Sequence, residues 1–174
     1  MESAWADRYG RWIEGARPLL EAGRWREAFS EGYPHVVNET APFVPLRMPL
    51  SRCTVVPVTS GGLFLRAAKD PFDEANIEGD YSYRKLPTSL TQGALSVSHG
   101  HYDPASALAD LNCVFPVDRL GELAAGGTIA GVAPTGYSFM GYATDAQRFL
   151  EGVARPVAAE VVSSGADVAL LVPV

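Results

Sequence analysis

The segment Ser98-His99-Gly100-His101-Tyr102-Asp103-Pro104 gathers two imidazoles and a carboxylate into one short stretch. Imidazoles change charge near neutral pH, so they can donate to a carboxylate, shuttle a proton or hold a nucleophile's charge. His99, His101 and Asp103 are therefore the first candidates for catalytic groups. Two other readings stay open. Asp103-Pro104 favours turn initiation and Gly100 permits unusual dihedrals, so the histidines could simply cap a turn. His-x-His-x-Asp also resembles part of a metal site, although Pro104 stands where a further ligand is wanted and His35 lies in the N-terminal part. No bound metal or other cofactor is expected from that ligand count.

A second candidate is Thr59-Ser60-Gly61-Gly62, whose backbone N–H groups could receive the carboxylate of a substrate. An ordinary strand-ending turn would have the same residues. Cys53 and Cys113 lack CxxC spacing and read as small buried apolar residues rather than exchange partners. Gly126-Gly127 precedes a strand instead of following one, and no Walker motif is present, so nucleotide binding has poor support. Gly131, Gly136 and Gly141 with Tyr137, Phe139 and Tyr142 read as a loop that either walls a pocket or packs into the core.

The elements that must carry these residues can be traced from periodicity. Trp5, Tyr9, Trp12 and Ile13, then Leu20, Trp25 and Phe29, fall near helical spacing and predict two amphipathic helices. Gly15 and Pro18 mark the expected break between them, and Gly32 with Pro34 ends the second. Prolines at 42, 45 and 49 predict an extended linker. Beyond it, Cys53 to Val58 reads as a strand entering the Thr59–Gly62 turn, and Ala94 to Val97 as a strand entering the histidine segment. Leu65 to Thr91 has weak periodicity and reads as a long excursion. Pro116 to Ala125 predicts a helix and Thr128 to Ala133 a strand. Thr144 or Asp145 then caps a helix with Phe149, Leu150, Val153, Val157 and Val161 inward, and Gly165 closes it.

The last stretch, Asp167 to Val174, is nearly continuous in apolar residues. Such a strand belongs in a parallel or mixed sheet covered on both faces, and ligand crevices lie beyond the carboxyl ends of such strands. With no helix following it, the strand reads either as cut short or as a terminal edge. The fold class is thus α/β, a parallel or mixed sheet with flanking helices. Residues 1–41 form a short helical N-terminal extension and residues 42–174 an α/β domain, incomplete if the last strand is cut short.

Composition narrows the function classes. Of 174 residues, 47% are hydrophobic, enough for one globular core. Twenty acidic against fourteen basic side chains leave a net charge of −6, and Lys and Arg are scattered, which argues against a nucleic-acid partner. Met1 to Arg11 carries Glu2, Asp7, Arg8 and Arg11 instead of an apolar leader, and nowhere do about 18 apolar residues run together. A cytoplasmic chain without a membrane span is expected, and its two cysteines are expected to be free thiols.

Four segments, in this order and spacing, resemble one family. They are Thr59-Ser60-Gly61-Gly62; Ser98 to Asp103; Asn112-Cys113-Val114-Phe115-Pro116-Val117-Asp118-Arg119-Leu120; and Gly165 to Val174. The family is the selenoprotein B subunits of glycine, sarcosine and betaine reductases with the related D-proline reductase subunit. The resemblance runs from about Pro42 to the end and leaves out the N-terminal helices. It implies an oxidoreductase subunit that splits an amine from the carbon of an amino acid or amine-type substrate, with dithiols as the electron source. It implies a small-molecule substrate and partner subunits. It further implies that the strand resembling Asp167–Val174 leads directly into a selenocysteine, or a cysteine, with another cysteine shortly after. Selenocysteine is encoded by a stop codon, so the expectation is a chain ended at its nucleophile, with selenocysteine directly after Val174. The rival expectations are a metal-dependent hydrolase centred on His99, His101 and Asp103, and a non-catalytic α/β binding module.

Overall fold

The computed structural model describes residues 2–41 and 43–174, so Pro42, the first proline of the expected linker, lies outside the described residues, as does Met1. In chain order the elements are α1 (Glu2–Glu21), α2 (Trp25–Ser30), β1 (Thr54–Thr59), β2 (Leu63–Leu65), β3 (Tyr83–Pro87), β4 (Leu95–Val97), α3 (Ala105–Ala109), α4 (Val117–Ala125), β5 (Gly131–Val132), β6 (Thr135–Phe139), α5 (Ala146–Phe149), a π-helical stretch (Leu150–Ala154), α6 (Arg155–Ser163) and β7 (Val168–Val172).

β1 is the axis of a mixed sheet. Its β-branched run pairs in parallel along Val55–Thr59 with Val168–Val172 of β7. On the opposite edge, β5 meets Thr54 and Val55, and β6 meets Val58 and Thr59, both in parallel. Pro57, which has no N–H to give, falls between those two registers, so its missing donor costs no ladder bond there. β3 closes the sheet beyond β6 as an antiparallel edge. The carboxyl ends of β1, β6 and β7 therefore share one edge of the sheet.

Both faces of β1 are covered, as a parallel sheet requires. Val56 and Val58 pack with Tyr137, Val153 and Val157 beneath the helical run from α5 to α6. Val55 packs with Leu120 and Ile129 beneath α4. Each fully buried aliphatic side chain contributes about 1.5–3 kcal/mol relative to exposure. A third cluster joins Leu63, Leu86, Leu95, Val114 and Phe115.

Several expectations are corrected. Gly15 and Pro18 do not break the first helix: α1 runs uninterrupted for 20 residues through both. Its buried stripe of Tyr9, Trp12, Ala16 and Leu20 packs on Ala28 and Phe29, and this tertiary contact outweighs the bond Pro18 forfeits. The break comes at Gly23, which has φ +71, with Gly23 N–H donating to Leu20 O and Arg24 N–H to Leu19 O in a Schellman motif. The expected excursion contains β3, whose charged side chains hide the alternation that buries Leu86. β4 pairs with β2 in a separate antiparallel ribbon, not with the main sheet.

Of the expected glycine and aromatic loop, Gly136, Tyr137 and Phe139 belong to the strand β6 and Gly131 to β5, while Gly141 and Tyr142 follow β6 and line a cavity. Gly136 suits β6 because a Cβ there would stand 2.7 Å from the Phe115 ring and 2.9 Å from Pro57. Of Thr128–Ala133 only Gly131 and Val132 are strand. Asp145, not Thr144, caps α5, accepting from the N–H groups of Gln147 and Arg148. Leu150 is exposed because the π-helical stretch starting there rotates it off the inward stripe that keeps Val153 and Val157. Cys53 is buried as expected, but Cys113 is exposed. β7 is not covered on both faces: it is an outer strand with Leu171 69% exposed.

Candidate functional site

The site begins where β1 ends. Thr59 is fully buried, and its Oγ1 accepts from Gly61 N–H at 3.0 Å. Ser60 N–H donates to Val172 O and Gly62 N–H to Phe139 O, so the turn's donors tie the ends of β1, β6 and β7 together. These N–H groups are spent within the fold, and the remaining side-chain oxygen of the turn is that of half-buried Ser60. That oxygen accepts from Val174 N–H at 2.9 Å. Gly62 adopts φ +66, and a Cβ on it would lie 2.4 Å from Ser98 O. Only glycine allows that approach, which lets Ser98 N–H reach Gly62 O at 2.8 Å and seats the end of β4 on the turn.

His99 follows directly and is 7% exposed. Its Nε2 faces Gly141 N–H at 3.1 Å and its Nδ1 faces His101 N–H at 3.2 Å. A neutral imidazole has one lone pair for two such donors, and an imidazolium would have none. Burial pushes the His99 pKa down to about 4, with repulsion from His101 adding to the effect. His99 is therefore neutral at pH 7.

His101 behaves differently. Its ring lies flat on Tyr142, with centroids 3.6 Å apart and planes 15° from parallel. Burial holds its pKa below the ordinary histidine value. Tyr142 is fixed by its hydroxyl, which donates to Ile77 O at 2.9 Å, and burial pushes its pKa up to about 12, so it stays a neutral phenol. Tyr102 packs edge-on to His99 at 4.8 Å and donates to Gly61 O.

His99, His101, Gly141, Tyr142, Trp25 and Val174 enclose a cavity of about 230 Å³. Asp103 is not in its wall: its carboxylate accepts from Ala105 N–H at 3.0 Å, a local turn bond just ahead of α3. Thr59, Gly61 and Gly62 lie behind the site, and Ser60 borders it through Val174. Among the described residues no three His, Cys, Asp or Glu side chains converge as metal ligands. Trp25 escaped the sequence reading as a site residue. Trp5 and Trp12 spend their indole N–H groups on Pro34 O and Ala28 O, whereas Trp25 is 46% exposed at the cavity. Its position beside the helix break was the one available signal.

Comparison with known proteins gives a consistent result. Residues 21–173 match the family described as glycine/sarcosine/betaine reductase selenoprotein B. The D-proline reductase subunit gamma of Acetoanaerobium sticklandii is 34% identical over 129 residues, covering 74% of this chain and 52% of that protein. The glycine reductase complex component B subunit gamma of Carboxydothermus hydrogenoformans is 30% identical over 147 residues, covering 83% of this chain and 33% of that protein. Its counterpart in Symbiobacterium thermophilum is 29% identical over a stretch of the same length. The chain thus spans about half of the first relative and about a third of the other two. No solved structure gives a significant match. No helix among the described residues is long and apolar enough to cross a membrane. With residues 21–173 matched, most of its length, the chain belongs to the glycine/sarcosine/betaine reductase selenoprotein B family.

Proposed function

We propose that this chain is the N-terminal portion of a cytoplasmic reductase subunit that cleaves the C–N bond of a small amino acid or amine, such as glycine or D-proline. Dithiols supply the two electrons, and the nucleophile is a selenocysteine directly after Val174. The single observation that carries the reading is that Val174 lines the same cavity as His99 and His101, with its N–H held by Ser60 Oγ. A residue joined to Val174 would continue from the wall of that cavity. Selenocysteine supplies a soft nucleophile that is ionised at neutral pH.

The chain's own residues have distinct tasks in this reading. The Thr59–Gly62 turn holds the strand ends in register and leaves Ser60 to orient the Val174 peptide. His99 and His101 form the cavity wall facing the substrate, and Asp103 steadies their loop through its turn bond to Ala105 N–H. The departing amine needs one proton, which an imidazole at the cavity can take up from solvent and then hand on, returning to its neutral form. Residues 1–41 serve as a helical extension to the α/β unit of residues 42–174, with Trp25 reaching the cavity. The relatives are named as subunits, which supports action together with partner subunits.

Two experiments test the proposal. In the gene, an in-frame UGA directly after the Val174 codon, followed closely by a cysteine codon, is expected; any other stop codon overturns it. The full-length protein with selenocysteine or cysteine at that position, assembled with its partner subunits, is expected to release ammonia from glycine or to open the D-proline ring to a chain bearing a primary amine when given a dithiol. Failure with all amine substrates of that class overturns the activity.

A further inference from the structure

We propose that His101 is the proton-carrying group of the cavity, that His99 is barred from this role, and that Tyr142 is the positioning residue that fixes the His101 ring. The chemistry served rests on the reductase reading; the division of labour rests on geometry alone.

The two histidines are two residues apart, yet their surroundings are opposite. Both ring nitrogens of His99 are met by backbone N–H groups, from His101 and Gly141. In the neutral ring one nitrogen already carries a proton and the other accepts, so a second proton removes the last lone pair and sets N–H against N–H on both sides, and relieving that means moving the end of β6 or the loop itself. Gly141 N–H also donates to Ser60 O at 2.9 Å, which holds it in place beside the ring. His99 thus serves as a spacer between β4 and the β6 end. Neither ring nitrogen of His101 has a partner among the described residues, and its ring is exposed at the cavity. It can bind or release a proton without rearranging the backbone.

An exposed loop histidine would ordinarily sample several rotamers. Here one of its faces is taken by Tyr142, a plate pinned by its hydroxyl at Ile77 O and by Phe29 packed edge-on at 6.3 Å. The titratable groups around His101 are His99, 6.0 Å away between ring centroids, Tyr142 itself, and Tyr102 on the far side of His99. Glu74 approaches the loop behind it: its carbonyl oxygen lies 3.4 Å from where a Gly100 Cβ would stand, and its carboxylate lies 3.5 Å from Ser98 Oγ. No carboxylate is within ion-pairing distance of His101 among the described residues. Orientation of a proton-transfer group matters steeply, since a misplacement of about 1 Å can cost about 100-fold in rate.

The test follows the imidazole C–H signals of this protein by NMR across pH, assigned with H99Q and H101Q. The His101 signals are expected to titrate and to lie upfield because of the Tyr142 ring current. Tyr142→Phe keeps that displacement and Tyr142→Leu removes it. The His99 signals are expected to stay unchanged above about pH 5. A His99 that titrates in the range of a free imidazole, or a His101 signal indifferent to Tyr142→Leu, overturns the proposal. In the full-length enzyme with its partner subunits, H101Q is expected to lower kcat by about 100-fold or more. Tyr142→Leu lowers kcat with KM kept, and Tyr142→Phe restores most of it. An H101Q enzyme with undiminished kcat also overturns the proposal. If the wild-type enzyme cleaves no C–N bond, the reductase reading fails, and the NMR outcomes alone then decide the division of labour.

Discussion

The aliphatic interior of the sheet and the seam around Thr144 are equally sealed from water, but they hold the molecule by different means. In the interior, Val56, Leu63, Leu86 and Phe115 are at most 1% exposed and touch other carbon atoms. At the seam, Thr144 is fully buried and its Oγ1 shares a 2.8 Å hydrogen bond with Tyr9 and donates to Glu78 O. Its carbonyl accepts from Tyr33, its N–H donates to Glu78 O, and Tyr81 hydroxyl bonds Glu78 O and Asp145 N–H. The seam thus staples α1 and the segment after α2 to the residues that follow Tyr142. Packing area stabilises without specifying direction, whereas a satisfied buried hydroxyl network permits one arrangement. The interior accounts for the stability of the fold, and the seam for where Tyr142, and with it His101, comes to rest.

The comparison can be broken most forcefully in the interior. Phe115→Ala should cost about 3–5 kcal/mol in chemical denaturation. Gly136→Ala, which presses a methyl group into the Phe115 ring, should be destabilising in the native background and less so together with Phe115→Leu. Additive effects of that pair would refute the contact.

Acid should act next, through the histidine lying between the two regions. His99 has a folded pKa of about 4 and an unfolded value of about 6.5, so between them the unfolded chain binds a proton the native protein excludes. This contribution is complete above about pH 6.5, declines as the pH falls, and is lost by about pH 4. It amounts to about 3 kcal/mol over the window. Stability measured against pH should show that slope, and H99Q should flatten it.

Thr144→Val keeps the shape at the seam but leaves the Tyr9 hydroxyl without its partner, a loss of about 1–3 kcal/mol. It should also weaken the ring-current displacement of His101, whereas Phe115→Leu should leave that signal in place. If both variants shift the signal alike, the separation of roles between interior and seam is wrong. The smallest effect belongs to Arg17→Ala, which removes the exposed 2.7 Å ion pair to Glu78. Its denaturation midpoint should barely move, and any change should vanish at high salt.

Much of the architecture was legible because it follows from local rules. The β-branched run of β1, the capped helix from Asp145 and the apolar β7 declare themselves within a few residues. β6 and β3 did not, since glycines interrupt one and charges the other, and each becomes a strand only because neighbours bury Tyr137 and Leu86. The helix break at Pro18 was misplaced for the same reason: the aromatic stripe it belongs to finds its partners at Ala28, Phe29 and Tyr33. The turn and the histidine loop were both identifiable from residue type. Asp103 read as part of that site, but its carboxylate instead makes a local turn bond to Ala105 N–H.

The amino-acid sequence by itself determined the family, the α/β class and the presence of a strand-ending turn and of a histidine loop, because these depend on residue type, order and spacing. Only the tertiary structure decided which histidine is locked and which is open, and that Trp25 and Tyr142 wall the cavity. Those outcomes depend on contacts across long separations in the chain, such as Gly141 N–H on His99 and Phe29 against Tyr142. Local preferences carry no record of which distant groups will meet, so such roles emerge only once the strand ends and the seam have brought them together.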